Sequence, residues 1–200
     1  MKGGIAMKKL LITGFDPFGG EKINPAWEAV KLLPEQIGGY ELTKLQIPTV
    51  FGAAAEAVIS KAEEIRADAV ISVGQAGGRA AVTPEMVGIN LRFASIPDNI
   101  GNIPCDIPVA EGGEAAYFST LPVRTMAKAI NEAGLPGAVS YSAGTFVCND
   151  VLYSLLRHFD GTPVLAGFIH VPFLPEQTED KPSLPLEETV AALCAAISTI

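Results

Sequence analysis

The chain contains two histidines, His158 and His170, and three cysteines, Cys105, Cys148 and Cys194. A cysteine beside a histidine can attack a carbonyl: the imidazole removes the thiol proton and later passes it to the leaving group. His158 follows Cys148 by ten residues on what reads as one helix, which separates them by about 15 Å along the axis. Those two side chains cannot meet, and His158 reads as a last-turn residue favoured by the helix dipole. His170 ends an apolar run just before Pro172. At the end of a central strand it would face a cleft; the ordinary alternative is a satisfied core histidine. Cys148 follows a small-residue turn and falls in the first turn of a helix. Free backbone N–H groups there are expected to lower the thiol pKa below about 8.5 and to hold an oxyanion. The alternative for Cys148 is a small buried hydrophobe. Cys194 lies on the apolar stripe Val190, Leu193, Ile197 and reads as core, and Cys105 sits in the Pro-flanked loop IPCDIP with no base beside it.

A Cys–His pair needs a third group to orient the imidazole. Many carboxylates are available, and chemistry alone does not choose among them. Glu85, in TPEMVGIN, is set among apolar residues after a Gly-rich loop, whereas most other acids fall on helix surfaces. The Gly-rich loop itself, GQAGGR, invites comparison with a phosphate cradle. It lacks both the GxGxxG spacing and the Walker lysine, so a nucleotide role is disfavoured.

The elements that must position these residues alternate between strand and helix. Leu10–Thr13, residues 40–47, Ala67–Val73, residues 86–93, Ala138–Tyr141 and Val164–Val171 read as strands. Helices are expected from Pro25, over Val50–Ile65, over residues 114–133 with a break at Pro122, over Phe146–Phe159, and from about Leu186 to the end. Such alternation implies right-handed crossovers and a mostly parallel twisted sheet, in a single-domain open α/β/α sandwich. Functional residues then collect beyond the carboxyl ends of the strands. That rule nominates GFDPFGG, GQAGGR, the segment around Glu85, SAGTFVCN and IHVPF.

Composition removes several classes. Apolar residues are 48% and charged residues 18% of the 200, with net charge −8 and no basic cluster longer than a pair. A nucleic-acid footprint needs a basic patch, so that partner is not expected. No apolar stretch reaches the length of a membrane span. The odd, sparse cysteines make neither a disulfide framework nor a zinc site, and fit a reducing compartment. Residues 1–7 are expected to be an N-terminal extension, with Met7 as an alternative start, ahead of one domain over residues 8–200.

The segments TGFDPFGG, NPAWEAV, GQAGGR, PEMVGIN, IPDN, AAYFSTLP, SAGTFVCN and IHVPFLPEQ occur in this order. Together they resemble the pyroglutamyl peptidase I (pyrrolidone-carboxylate peptidase) family of cysteine peptidases, from about Lys8 to the C-terminus. The resemblance implies an omega peptidase that removes an N-terminal pyroglutamyl residue from peptides. It implies no cofactor and no metal, a cytoplasmic location and a homotetramer. It also implies a catalytic set of Glu85, Cys148 and His170. Phe15 and Phe18 match the family's pocket phenylalanines, Ile96, Phe146 and Val147 would complete the lining, and Gln75 would offer an amide near the ring or the oxyanion.

Two positions depart from the family pattern. ASIPDN carries Ser95 where an arginine is usual, and Met86 replaces a usual arginine after Glu85. Arg92, three residues before Ser95, would on a strand point to the opposite side. These changes bear on rate and substrate range and leave the catalytic set intact. The competing reading is a non-catalytic or weakly active ligand-binding α/β domain related to the family. A binding module, however, has no need of all three reactive residues.

Overall fold

Three strands carry the core because both their faces are covered. They are β1 (Lys8–Phe15), β4 (Ala69–Gln75) and β8 (Leu165–Val171), and their near-continuous apolar runs are what a doubly covered parallel strand requires. The computed structural model describes residues 7–200. Residues 1–6, most of the expected extension, lie outside the described residues. The remaining elements are α1 (Pro25–Leu32), β2 (Gln36–Ile37), β3 (Tyr40–Ile47), α2 (Ala53–Ile65), β5 (Thr83–Pro84), β6 (Val87–Ile89), β7 (Ala116–Phe118), α3 (Val123–Glu132), α4 (Val147–His158) and α5 (Leu186–Ile197).

The main sheet has the order β2-β3-β1-β4-β8-β5. Its inner pairs β3–β1, β1–β4 and β4–β8 are parallel, and the edge strands β2 and β5 are antiparallel. The expected mostly parallel α/β/α architecture therefore holds. Successive side chains on a strand point to opposite faces. Leu10, Ile12, Ile71, Val73, Ile169 and Val171 accordingly pack with α1, α3 and α5. Leu11, Phe15, Val70, Ala166 and Phe168 pack with α2 and α4. His170 shares its parity with Phe168, so the strand period aims it at the α4 side.

Local chemistry sets the helix starts. Asn24 caps α1 by accepting from the Ala26 N–H (3.1 Å), with Pro25 at the first helical position. Helix α2 begins at Ala53, three residues later than the periodicity suggests, because Gly52 adopts φ +75° and interrupts the helix there.

Three expectations need correction. The helix expected over residues 114–133 is strand β7 followed, after Pro122, by α3. The strand expected over 86–93 is only β6, which pairs with β7 in a separate two-stranded sheet. Ala138–Tyr141 forms no continuous strand. It makes only the isolated parallel bridge Glu85↔Ser140, with Val82↔Gly137 just ahead of it, because Pro84, between the two, cannot donate to a ladder.

Candidate active site

Strand β8 delivers His170, and Glu85 directly follows strand β5. Thr83 lies opposite His170 in the antiparallel register, and the Glu85 N–H donates to Phe168 O (2.9 Å). This places Glu85 Oε1 2.7 Å from His170 Nδ1. Glu85 is 0% and His170 3% exposed, so the bond is shielded from water. A carboxylate only accepts, so Nδ1 carries the proton and Nε2 keeps its lone pair.

Helix α4 delivers Cys148. The SAGT turn ends at Phe146, and Cys148 is the second helical residue. Phe146 gives no side-chain cap, and the first intrahelical bond runs from the Asp150 N–H to Phe146 O (3.1 Å). The amides of Val147, Cys148 and Asn149 precede that bond and face the positive end of the helix dipole. Asn149 fixes the helix to the β6 segment. Its amide N–H donates to Ile89 O (2.9 Å) and Leu91 O (3.0 Å), and its carbonyl accepts from the Ile89 N–H (2.9 Å). The sulfur lies over the sheet at Gly74, where an added Cβ would be 3.0 Å from Sγ. Gly74 is the register partner of His170. Cys148, His170 and Glu85 thus converge at the carboxyl ends of β4 and β8.

The electrostatics correct one expectation. Burial pushes the Cys148 thiol up to about 12, and the Glu85 charge adds to the rise. Arg79 and the residue's own backbone N–H act in the other direction and are outweighed. The helix end therefore does not produce a resting thiolate, although Cys148 keeps a partly exposed edge. Burial also lowers the His170 pKa, against the pull of Glu85. For Glu85, burial favours the neutral form, but His170, Ser140 and Arg79 together hold its carboxyl below the usual carboxylate range. At neutral pH the site holds a neutral thiol, a neutral imidazole and a carboxylate.

The pocket residues divide. The Phe18 and Phe146 rings meet at 6.0 Å, and Phe51, which sequence reasoning missed, meets Phe146 edge-on at 5.2 Å. Ile96, 44% exposed, shares with Ser95 and Phe146 a groove of about 350 Å³ beside the start of α4. Phe15 is a core residue, 2% exposed, with its ring tilted against Phe168 at 6.1 Å. The strand runs two residues beyond its expected end and turns this ring inward. Val147 is likewise fully buried beneath the pocket. The parity of β4 places Gln75 on the sheet face opposite Cys148, and its side-chain oxygen accepts from Gln177 Nε2 (3.1 Å). It is therefore not a donor at the sulfur.

The remaining candidates lie elsewhere. His158 ends α4 and pairs with Glu63 at 3.0 Å. Cys194 packs against the core and Cys105 is exposed. Arg92 is committed to the buried Asp150 (2.6 Å), so it does not replace the arginine absent at Ser95. Met86 packs against the core on the α1/α3/α5 side. Sequence reasoning also passed over Arg79, which donates to Glu85 Oε1 at 2.6 Å. Its signal was a lone cation closing a Gly-rich loop beyond the end of a central strand.

A family model described as pyroglutamyl peptidase matches residues 8–200. The pyrrolidone-carboxylate peptidase of Staphylococcus carnosus is 55% identical over 197 residues, covering 96% of this chain and 92% of the relative. That of Enterococcus faecalis is 56% identical over 178 residues, covering 88% and 83%. The crystal structure of Bacillus amyloliquefaciens pyroglutamyl peptidase I superposes with a TM-score of 0.93 at 46% identity, covering 96% of each chain. Pyrrolidone carboxyl peptidase from Thermococcus litoralis gives 0.91 at 38%, covering 96% and 92%. With a match that spans every element of the sheet and all five helices, the chain belongs to the pyroglutamyl peptidase family.

Proposed function

We propose that this chain is a cysteine exopeptidase that hydrolyses the bond after an N-terminal pyroglutamyl residue, with Cys148 as nucleophile, His170 as general base and acid, and Glu85 as its orienting carboxylate. The buried 2.7 Å bond between Glu85 and His170 Nδ1, on the sheet face that Cys148 covers, carries the reading. A neutral resting pair favours proton transfer in step with attack over a preformed ion pair. Nε2 takes the thiol proton as Sγ bonds to the pyroglutamyl carbonyl carbon. Negative charge then develops on the carbonyl oxygen, where the free amides at the start of α4 can meet it. The C–N bond breaks as the imidazolium protonates the leaving amine. Water, deprotonated by Nε2, cleaves the thioester and returns a proton to sulfur. Glu85 stabilises the imidazolium formed in each half.

The acyl group suits the pocket. A pyroglutamyl ring is flat and uncharged, so its faces fit against Phe18 and Phe146. A site that pairs the lactam N–H and C=O rejects proline, which leaves those partners unpaired. A cytoplasmic homotetramer is the setting we infer. Three free cysteines suit a reducing compartment. The exposed Ile100, Ile103 and Ile107 give apolar surface that a subunit contact would cover.

The test is release of a chromogenic amine from a pyroglutamyl amide, with the prolyl amide as control. Wild type should cleave only the former, and Cys148→Ala neither. A folded wild type that cleaves neither amide overturns the reading.

A further inference from the structure

The loop after β4 ends in Arg79, and this one side chain joins three segments of the site. Nη1 donates to Thr83 Oγ1 (2.7 Å) and to Glu85 Oε1 (2.6 Å), and Nη2 donates to Ser142 O (2.9 Å). Thr83 faces His170 across the β5–β8 ladder. Ser142 lies in the turn that leads into α4 and Cys148. The planar fork of a guanidinium suits this task, since it presents several donors in fixed directions.

Glu85 depends on that fork. Its Oε1 accepts both from His170 Nδ1 and from Arg79, while its Oε2 is buried without a partner among the described residues. The Ser140 hydroxyl, beside Glu85, can serve either the carboxylate or Ser142 O, and at 3.2 Å its geometry favours the latter. His170 and Ser140 also favour the charged form, but of the groups that touch Glu85 Arg79 alone carries a permanent positive charge, and a buried carboxylate with one orphan oxygen is helped by such a cation to stay ionised. The consequence of losing the charge is specific. A protonated Glu85 would donate to Nδ1, the imidazole proton would move to Nε2, and His170 could no longer accept the thiol proton. We infer that Arg79 is a positioning residue for the proposed hydrolysis: it keeps Glu85 ionised, and so His170 in the reactive tautomer, while bracing the turn that carries Cys148. The inference rests on the Glu85–His170–Cys148 reading above.

Around His170 the charged and titratable groups are Glu85 after β5, Arg79 after β4 and Cys148 on α4. Removing the Arg79 cation makes both Glu85 and His170 easier to protonate, and both changes move the acid limb of kcat upward in pH. The experiment compares wild type, Arg79→Met and Arg79→Lys for kcat and KM on a pyroglutamyl amide across pH, with thermal melts. For Arg79→Met, kcat should fall about tenfold or more with KM nearly unchanged, and the acid limb should rise by about 0.5 pH unit or more. Arg79→Lys keeps the charge, so its limb should stay at the wild-type pH. One ammonium cannot span all three acceptors, so its kcat should recover only in part. An unmoved limb in Arg79→Met, even with lower kcat and a lower melting temperature, would overturn the inference. If Arg79→Met does not fold, a wild-type kcat in Arg79→Lys overturns it and a reduced kcat at an unmoved limb supports it. A wild type without activity would sink the proposed function separately. Nitrogen NMR of the two imidazoles then decides on its own: wild type should hold the neutral Nδ1–H tautomer of His170, Arg79→Met should lose it at a higher pH than wild type as pH falls toward 5, and Arg79→Lys should follow wild type. An unchanged tautomer counts against the role.

Discussion

Gly74 and Cys148 are in contact through the space a side chain would fill. A Cβ on Gly74 would sit 3.0 Å from Cys148 Sγ and 2.7 Å from Phe168 Cζ. The sulfur rests where only glycine leaves room, one ladder step from the histidine that would activate it. Gly74→Ala should therefore push Sγ away from His170. Displacements near 1 Å at a reacting atom cost about a hundredfold, and kcat/KM should fall by at least that. Overpacking should also lower stability by about 1–3 kcal/mol. A thermal melt together with kcat/KM checks this, and an Ala variant of wild-type activity would show that the sulfur works from another position.

Glu85→Gln tests the carboxylate. The amide is of similar size but neutral, and it leaves Arg79 facing a group that no longer balances its charge. With its N–H₂ turned toward Nδ1, it holds the imidazole in the wrong tautomer. The loss in kcat should be on the order of a thousandfold, with KM changed much less. Kinetics and circular dichroism on one sample separate this from misfolding. Activity within tenfold of wild type would remove Glu85 from the mechanism.

How much of this was legible in the sequence depends on whether the cause was local. Strands β1, β4 and β8 are buried on both faces, so unbroken apolar runs betray them, and Asn24–Pro25 marks the start of α1 by its own capping chemistry. Strand β5 is only Thr83–Pro84, and it exists because it pairs with β8 some eighty-six residues later. No window around residue 84 contains that partner. The same distinction applies to the site. The position of Cys148 in the first turn of a helix was local and readable. Its raised thiol pKa was not, because burial and the Glu85 charge are tertiary. Phe15 and Phe18 share one turn-rich segment, yet strand parity sends the first into the core and leaves the second beside Phe146. Arg79 shows no role until the Gly-rich loop folds back on Glu85.

The thiol makes a prediction that separates two mechanisms. A neutral Cys148 with its pKa near 12 should react slowly with iodoacetamide at pH 7, and its rate should climb about tenfold per pH unit through pH 9. Peptide mass mapping distinguishes it from the exposed Cys105. A rate flat from pH 5 to 9 would instead signal a preformed thiolate–imidazolium pair.

Stability should follow pH with a sign fixed by the same groups. His170 and Glu85 both have lowered pKa values in the folded protein. The unfolded chain therefore binds more protons, and stability should fall as pH drops below the ordinary histidine range and then through the carboxylate range. Cys148 is raised from 9.0 to about 12, so its contribution is present below pH 9 and is lost as pH rises toward 12. Denaturant melts at pH 5, 7 and 10 read both limbs, and Cys148→Ala should make the alkaline one shallower, leaving the part that Cys194 and Tyr153, both raised chiefly by burial, contribute. An alkaline limb unchanged in that variant would assign it to other groups.

The loop that carries Ile96 hangs on Asp98, a buried carboxylate bonded to the backbone of Phe51. It accepts from the N–H groups of Phe51 (3.1 Å), Ile100 (3.1 Å) and Asn102 (2.8 Å) and from Asn102 Nδ2 (2.9 Å). Burial disfavours its charge, but these bonds together hold its pKa below the usual range. Next to it, Asn99 donates to Asp16 Oδ1 (3.0 Å) and Pro17 O (2.9 Å), which ties the loop to the turn bearing Phe18. Ile96, Phe51 and Phe18 thus take their places from one network that touches none of the reacting atoms. Asp98→Ala would leave several donors unpaired, at about 1–3 kcal/mol for each buried one that water cannot reach. The loop should loosen, and KM for the pyroglutamyl amide should rise by about tenfold or more while kcat changes less. Asp98→Asn keeps the shape and part of the bonding, and should fall between. A variant with a lowered melting temperature and an unaltered KM would show that the loop does not shape the acyl pocket.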